Sequence, residues 1–236
     1  MTRTSNASTR PLLTAATCLL LAHPLLAQHF EGILSVHSSS MPAEAGMRYF
    51  IKGERLRLEL AAPGQSPIVI ISDGAARKQY TLFPDQKVYT TTTFAELMRS
   101  TDSLRKQSAI LLRGASMTSS HTTATIAGHK CTVHRYRDAK TAYDVCLTTE
   151  LGALSGAPGL FGNISPALDA TEPPQWVQNL IKAGSFALRL ADTTGKTIWE
   201  VRKAVAQPLA PSLFSPPSSF VSASDSSGKP KRPSPR

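Results

Sequence analysis

The sequence has few acidic residues and lacks the local signatures of common active sites. It carries 16 Asp and Glu against 26 Lys and Arg, and no two carboxylates form the pair that glycosidases use. A Gly-x-Ser-x-Gly motif is absent. A glycine-rich loop, which we interpret as flexible, lacks the Gly-Lys-Ser/Thr of a phosphate-binding loop; its glycines are Gly152, Gly156, Gly159 and Gly162. We predict a non-enzymatic protein with no catalytic residue and no cofactor; a hydrolase with a scattered site is the alternative.

Long hydrophobic runs are also lacking. The apolar segment 12–22 is shorter than the roughly 20 residues that cross a bilayer as a helix. Arg3 and Arg10 precede this segment, and Pro24 and Ala27 follow it, in the order typical of a secretory signal peptide. We predict that residues 1–27 are removed and that the protein is periplasmic or secreted, with no transmembrane segment after cleavage. An uncleaved anchor is the alternative.

Only three cysteines occur, and Cys18 lies within the predicted signal peptide. The mature chain then has Cys131 and Cys146, which predict a disulfide in an oxidising compartment. The segment between them reads as a β-hairpin with Asp138-Ala139 at its centre. That register places the two cysteines directly opposite each other. Their Cα atoms then lie within the ~4.4–6.8 Å that a disulfide requires. A redox-active pair is the alternative, but such pairs usually form Cys-x-x-Cys at a helix start.

The same hairpin register makes predictions for the neighbouring side chains. His134 faces Tyr143, and Arg135 and Asp144 are diagonal neighbours close enough to attract. A zinc site is a second interpretation of this region, because three histidines, His121, His129 and His134, lie near Cys131. Zinc needs three or four converging ligands, whereas Cys131 is paired and points away from His134. We predict no metal.

Positive charge is in excess, with a formal net charge of +10. In an exported protein this excess of positive charge favours an anionic envelope surface, and not nucleic acid, as the partner. The alternative is that the charge is spread over the surface and only keeps the protein soluble. Residues 222–236 are basic, rich in Ser and Pro and without aromatic residues. We predict a disordered tail there, because such a segment cannot bury enough apolar surface to become ordered.

Residues 28–221 predict a single domain of short strands with turns between them. Strand patterns occupy 30–38, 47–60, 67–72, 77–83, 86–92, 122–128, 185–192 and 196–205, and the disulfide hairpin spans 128–146. The pattern changes to a helical period at 94–107 and 173–184. Residues 208–220 read as an extended, proline-stiffened segment. The predicted fold is α+β: a curved antiparallel β-sheet, half-barrel-like, with two or three helices on one face.

The order of these motifs resembles a family of bacterial exported domains, domain-of-unknown-function family 4412. The resemblance covers residues 29 to 221. Its segments here are FEGILSV, RYFIKGERLRLEL, YTLFPDQKVY, TATIAGHKCTVHRY, PPQWVQNLIKAG and PSLFSPPSSF. The pattern is also similar to periplasmic lipoprotein carriers and receptors of the LolA and LolB type, and this similarity implies a half-open barrel that shelters acyl chains beneath helices.

The strand pattern and the two amphipathic helices predict an apolar or amphiphilic ligand, such as a lipid or a lipoprotein acyl chain, held between sheet and helices. The predicted lining residues are Tyr49, Ile51, Leu56, Leu58, Tyr80, Leu97, Met98, Trp176 and Ile181. The first alternative is that these residues only fill a core. The second is an envelope interaction module that contacts an anionic polymer or a partner protein.

Overall fold

The computed structural model describes residues 30–42, 44–103, 106, 114–151 and 175–223. The predicted signal peptide, the glycine-rich loop and the tail beyond Ala223 lie outside these residues. The strands are β1 (Gly32–Ser38), β2 (Gly46–Lys52), β3 (Arg55–Ala61), β4 (Ile68–Asp73), β5 (Lys78–Phe83), β6 (Val88–Thr93), β7 (Ser116–Ile126), β8 (His129–Arg137), β9 (Ala142–Thr148), β10 (Phe186–Asp192), β11 (Thr197–Ala206) and β12 (Val221–Ser222). The helices are α1 (Phe94–Ser100) and α2 (Gln175–Lys182).

These strands form one sheet in the order β12-β6-β5-β4-β3-β2-β1-β11-β10-β9-β8-β7. Neighbours are antiparallel except for β12, which pairs with β6 in parallel. The sheet is open, with β12 at one edge and β7 at the other, so it is not a closed barrel. The prediction of a large antiparallel sheet with helices is confirmed. Two residues of the predicted tail are part of the sheet edge: Ser222 belongs to β12, and the Ala223 N–H donates to the Tyr89 carbonyl oxygen at 2.8 Å.

Alternating side chains divide the central strands between two apolar clusters. Leu34 on β1 and Tyr49 and Ile51 on β2 belong to the first cluster, whereas Ile33 and Phe50 belong to the second. The first cluster continues across the sheet through Leu56, Ile126, Cys131, Cys146, Phe186, Leu188 and Val201. The two clusters therefore lie on opposite faces of the same strands.

The second cluster is covered by residues 207–220, which we call the strap. Phe214 of the strap is buried and packs with Val69 and Ile71 of β4. The Lys52 Nζ donates to the Leu209 carbonyl oxygen at 2.7 Å, and an Arg57 guanidinium nitrogen donates to the Leu213 carbonyl oxygen at 3.1 Å. Beyond the strap, β12 joins the sheet edge. The extended segment predicted at 208–220 thus closes one face of the sheet, with a short 3-10 turn at Pro211–Phe214.

A carboxylate ties the start of the strap to the start of the domain. Glu31 Oε1 accepts hydrogen bonds from Lys52 Nζ and from the Leu209 backbone N–H, both at 2.7 Å. These two hydrogen bonds hold the pKa of the Glu31 carboxyl below its ordinary value of 4.5. Folding therefore stabilises the ionised form of the Glu31 carboxyl.

The pH dependence follows from the sign of that shift. A carboxyl whose pKa is lowered by folding stabilises the protein above its ordinary pKa and loses this contribution as the pH falls through the folded value. We expect Glu31→Gln to lower the melting temperature at pH 7 and the difference from wild type to vanish well below pH 4.5. Melting curves of both proteins between pH 3 and 7 test this. A difference that persists unchanged at pH 3 would mean that the charge of Glu31 is not involved.

A third apolar cluster lies under α2. Trp176 and Leu180 of the helix pack near Tyr136, Val145 and Leu147 of strands β8 and β9. Since Cys146 belongs to the first cluster, its neighbours Val145 and Leu147 point to the opposite face. Helix α2 ends as predicted, with Gly184 at φ 63° and its N–H donating to the Ile181 carbonyl oxygen at 3.0 Å.

The other predicted helix, 94–107, is interrupted at Thr101. Thr93 caps α1 and forms a reciprocal capping box with Glu96. The helix ends at Ser100, and helical backbone is present again at Asp102 and Ser103. Hydroxyl groups explain this interruption: Ser100 and Thr101 both donate to the Leu97 carbonyl oxygen, which competes with the regular backbone bonds.

The disulfide is present, but the predicted register of its hairpin is wrong. Cys131 and Cys146 are bonded, with their Cα atoms 5.4 Å apart. Cys146 faces Val133, two residues away from the predicted partner. Asp138 causes this shift, because its carboxylate accepts the Lys140 and Thr141 N–H groups and moves the turn centre to Ala139-Lys140. The cysteines are therefore diagonal neighbours.

The same shift corrects the predicted side-chain pairs. His134 faces Val145, and Tyr136, not His134, stacks on Tyr143, with ring centroids 6.2 Å apart. Arg135 and Asp144 are directly opposite and form an ion pair. The predicted attraction between these two charges is confirmed, in a closer arrangement.

Candidate functional site

The two faces of strands β1 to β6 and β12 differ in the side chains that they carry. We call the face without charged side chains the uncharged face. Strand alternation and register place the following residues on it: Gly32, Leu34, Val36, Ser38, Met47, Tyr49, Ile51, Leu56, Leu58, Leu60, Ile68, Ile70, Ser72, Gln79, Thr81, Phe83, Val88, Thr90, Thr92 and Val221. Within these seven strands, all of which the structure describes, no charged side chain lies on this face.

The charges of these strands are on the side that the strap covers. Arg48 and Arg57 both form ion pairs with Glu59, at 2.6 and 2.8 Å, and both guanidinium groups lie over the Phe50 ring. Arg55 lies over the ring of Phe214 in the strap, 5.9 Å from its centroid. These cations are therefore used to hold the sheet and the strap together.

Cross-strand neighbours on the uncharged face form an apolar row along the strand ends. Met47 pairs with Leu60, Leu60 with Ile68, Phe83 with Val88, and Val88 with Val221. Phe83 is the residue of β5 next to the Val69–Leu82 pair, which places it beside Ile68. We call these six residues, Met47, Leu60, Ile68, Phe83, Val88 and Val221, the apolar row. It crosses six strands that are ~4.8 Å apart, a length of roughly 24 Å.

The apolar row is accessible along its whole length. None of its six residues is buried, and Ile68 and Val221 are exposed, at 37% and 57%. Toward the centre of the sheet the exposure falls, since Tyr49 is 4% exposed and Leu34 is fully buried. An exposed row of apolar side chains next to a buried core is typical of a surface that binds another apolar molecule.

The neighbouring row changes chemistry across the sheet. It starts with Leu34, Tyr49, Leu58 and Ile70 and continues with Thr81 and Thr90 in register. Threonine hydroxyls therefore border the outer half of the apolar row. An amphiphile could place its chain on the apolar row and hydrogen-bond to this border.

Tyr49 introduces a polar group at the inner end of the apolar row. Its hydroxyl donates to the Met47 Sδ at 3.2 Å, and a thioether is a weak acceptor. Burial raises the pKa of Tyr49 to about 12, so the hydroxyl keeps its proton at neutral pH. The site thus contains a hydrogen-bond donor whose partner is a poor one.

Four of the predicted lining residues are brought together on the uncharged face: Tyr49, Ile51, Leu56 and Leu58. None of the six residues of the apolar row was among the predicted lining residues. On β4, Val69 and Ile71 are buried on the strap side, whereas on the uncharged face Ser72 is buried, Ile70 is half-buried and Ile68 is exposed. Register across the strands was the missing information.

The remaining predicted residues are placed elsewhere. Tyr80 pairs with Ile71 and points to the strap side, where its ring contacts Tyr89 edge-on. Trp176 lies in the third cluster, where its buried indole nitrogen has no hydrogen-bond partner among the residues that the structure describes, and Ile181 is 46% exposed. Leu97 and Met98 are half-buried on α1, which contacts β6. The nine residues therefore do not form one lining: α2 packs away from the face with Tyr49.

The described part of the chain contains no group of three or more His, Cys, Asp or Glu suited to a metal ion. Among the described residues, no helix is long and apolar enough to cross a membrane. The His129 Nδ1 lies within hydrogen-bond distance of a Glu150 carboxylate oxygen, at 3.0 Å, and Cys131 is bonded to Cys146. Two of the residues considered for zinc are therefore used in other contacts.

Comparison with known protein families identifies the family. The sequence pattern of the domain of unknown function DUF4412 matches residues 30–220. The chain belongs to this family. The match begins two residues before β1 and ends with the strap, so strands β1 to β11, both helices and the strap lie within the family domain, and β12 follows it. No curated protein matches the chain.

Proposed function

We propose that this DUF4412 protein is a non-enzymatic binding protein of the bacterial cell envelope that holds an apolar or amphiphilic ligand, such as a lipid or a lipoprotein acyl chain, on its uncharged face. The apolar row carries the proposal. Six apolar side chains from six strands lie side by side without being buried. A soluble chain rarely leaves such a row uncovered without a ligand.

Export and a half-barrel shape belong to the same proposal. The predicted signal peptide and the Cys131–Cys146 disulfide both favour an oxidising compartment outside the cytoplasm. An open sheet that curves about its uncharged face would shelter an acyl chain as the lipoprotein carriers do. Sequencing the N-terminus of protein purified from bacterial envelopes tests export: we expect the mature chain to begin at residue 28.

A charge placed in the apolar row tests the site. We expect Ile68→Glu to lower the amount of co-purified lipid about tenfold or more, because a carboxylate beneath an acyl chain loses hydration without gaining a partner. Ile68 is 37% exposed, so the substitution leaves the core intact. The measurement is mass spectrometry of organic extracts from natively purified protein, expressed as lipid per protein.

Ile181→Glu is the matched control. It introduces the same charge at another exposed isoleucine, on α2 and outside the apolar row. We expect its lipid content to equal that of wild type. A loss with Ile181→Glu and none with Ile68→Glu would move the site to α2, and lipid-free wild-type extracts would contradict the binding function.

A further inference from the structure

The further inference rests on the proposed function and concerns the chemical class of the ligand. From Tyr49 and the uncharged side chains that the described strands β1 to β6 and β12 place on its face, we infer that the site takes an uncharged acyl ester or amide, with its carbonyl oxygen accepting a hydrogen bond from the Tyr49 hydroxyl. A free fatty acid, which has the same chain and a carboxylate end, is then a poor ligand. The two classes differ only at the group that would lie beside Tyr49.

The Tyr49 hydroxyl donates its hydrogen bond to a weak acceptor. Its side chain is almost fully buried, and the partner of its hydroxyl is the Met47 sulfur at 3.2 Å. A buried hydroxyl gains from an oxygen acceptor, and a thioether is a weak substitute. Since Met47 begins the apolar row, an acyl chain on that row brings its carbonyl end close to this hydroxyl.

The second argument is charge. Strands β1 to β6 and β12, which the structure describes in full, carry no Lys or Arg on the uncharged face, so these strands offer no cation to a bound carboxylate. A carboxylate buried without a cation is strongly disfavoured, whereas an ester or amide carbonyl needs only a donor. The nearest cations of the same strands, Arg48 and Arg57, point to the strap side and are paired with Glu59.

Displacement of a bound apolar fluorescent dye measures the preference. The probes are methyl laurate, laurate and dodecane at pH 8, added to the full chain purified and stripped of lipid. We expect methyl laurate to displace the dye at concentrations at least tenfold lower than laurate. Tyr49→Phe should weaken methyl laurate about five- to tenfold, as expected for one buried hydrogen bond, and leave dodecane unchanged.

Tyr136→Phe is the matched control, since it removes the hydroxyl of another buried tyrosine, which donates to Asp138 and lies in the third cluster on the opposite face of the sheet. It should bind methyl laurate as tightly as wild type does. Equal binding of methyl laurate and laurate, or an equal loss in Tyr49→Phe and Tyr136→Phe, would overturn the inference and leave the proposed function standing. Failure of all three probes would contradict the proposed function itself. Unchanged melting temperatures of both variants show that the fold is retained.

Discussion

Replacing both Cys131 and Cys146 by alanine is expected to lower the free energy of unfolding by about 3 kcal/mol. The disulfide closes a loop with a sequence separation of 15 residues, and the chain-entropy estimate for such a loop is roughly 3 kcal/mol. For a domain of this size the melting temperature should fall by about 6–12 °C. Thermal and urea unfolding of the wild-type and double-variant proteins measure the effect.

Two comparisons separate the cross-link from packing. Val133→Ala removes packing at the residue that faces Cys146 and leaves the disulfide intact; we expect a loss of about 1 kcal/mol. Because Cys146 is fully buried and Cys131 nearly so, the native wild-type protein should resist reductant and show no free thiol until it is unfolded. Two titratable thiols in the native, unreduced protein would contradict the structure of this hairpin.

The hairpin illustrates which parts of the fold the sequence predicts. The predicted register was wrong by two residues, yet both cysteines remained on one face because side chains alternate with a period of two. An error of one residue would have placed them on opposite faces. The alternation of side chains along a strand can be predicted from the local sequence. The centre of the turn cannot, because it depends on the hydrogen bonds of a single side chain, Asp138.

The polar edge of the sheet was missed for a related reason. β7 begins at Ser116, six residues before the predicted strand, and its first half reads SMTSSH. Such a segment has no apolar alternation to detect, because it pairs with β8 and is otherwise largely exposed. A shift of the ladder between Ser119 and Thr123, with His121 at φ 57°, further breaks its pattern.

No local sequence pattern predicts that the residues of the apolar row are neighbours. Ile68, Phe83 and Val221 come from segments far apart in sequence, and only the register of β4, β5, β6 and β12 makes them neighbours. Val221 joins the row through a two-residue strand that no pattern indicates. Tyr49, Ile51, Leu56 and Leu58 lie on one face because they alternate with other residues along β2 and β3, and such alternation can be read from the local sequence.

Phe214→Ala is expected to lower the free energy of unfolding by about 3–5 kcal/mol. Phe214 is 2% exposed and fills the second cluster between the strap and the sheet. Its removal leaves a cavity above Val69 and Ile71, because the side chains of Lys52 and Arg57 hold the strap in place by donating to the carbonyl oxygens of Leu209 and Leu213. Urea unfolding measures the loss, and Ser212→Ala, at an exposed position of the same turn, should have an effect within about 0.5 kcal/mol.

The strap also connects stability to the proposed site. β12 follows it directly, and the Val221 N–H donates to the Lys87 carbonyl oxygen at 2.9 Å, which places Val221 at the outer end of the apolar row. A loosened strap therefore releases Val221 from the row. We expect Phe214→Ala to become sensitive to proteolysis within residues 207–223 and to carry less lipid than Ser212→Ala under conditions where both are folded. Protection of that segment equal to wild type would show that β12 holds the sheet edge without the strap.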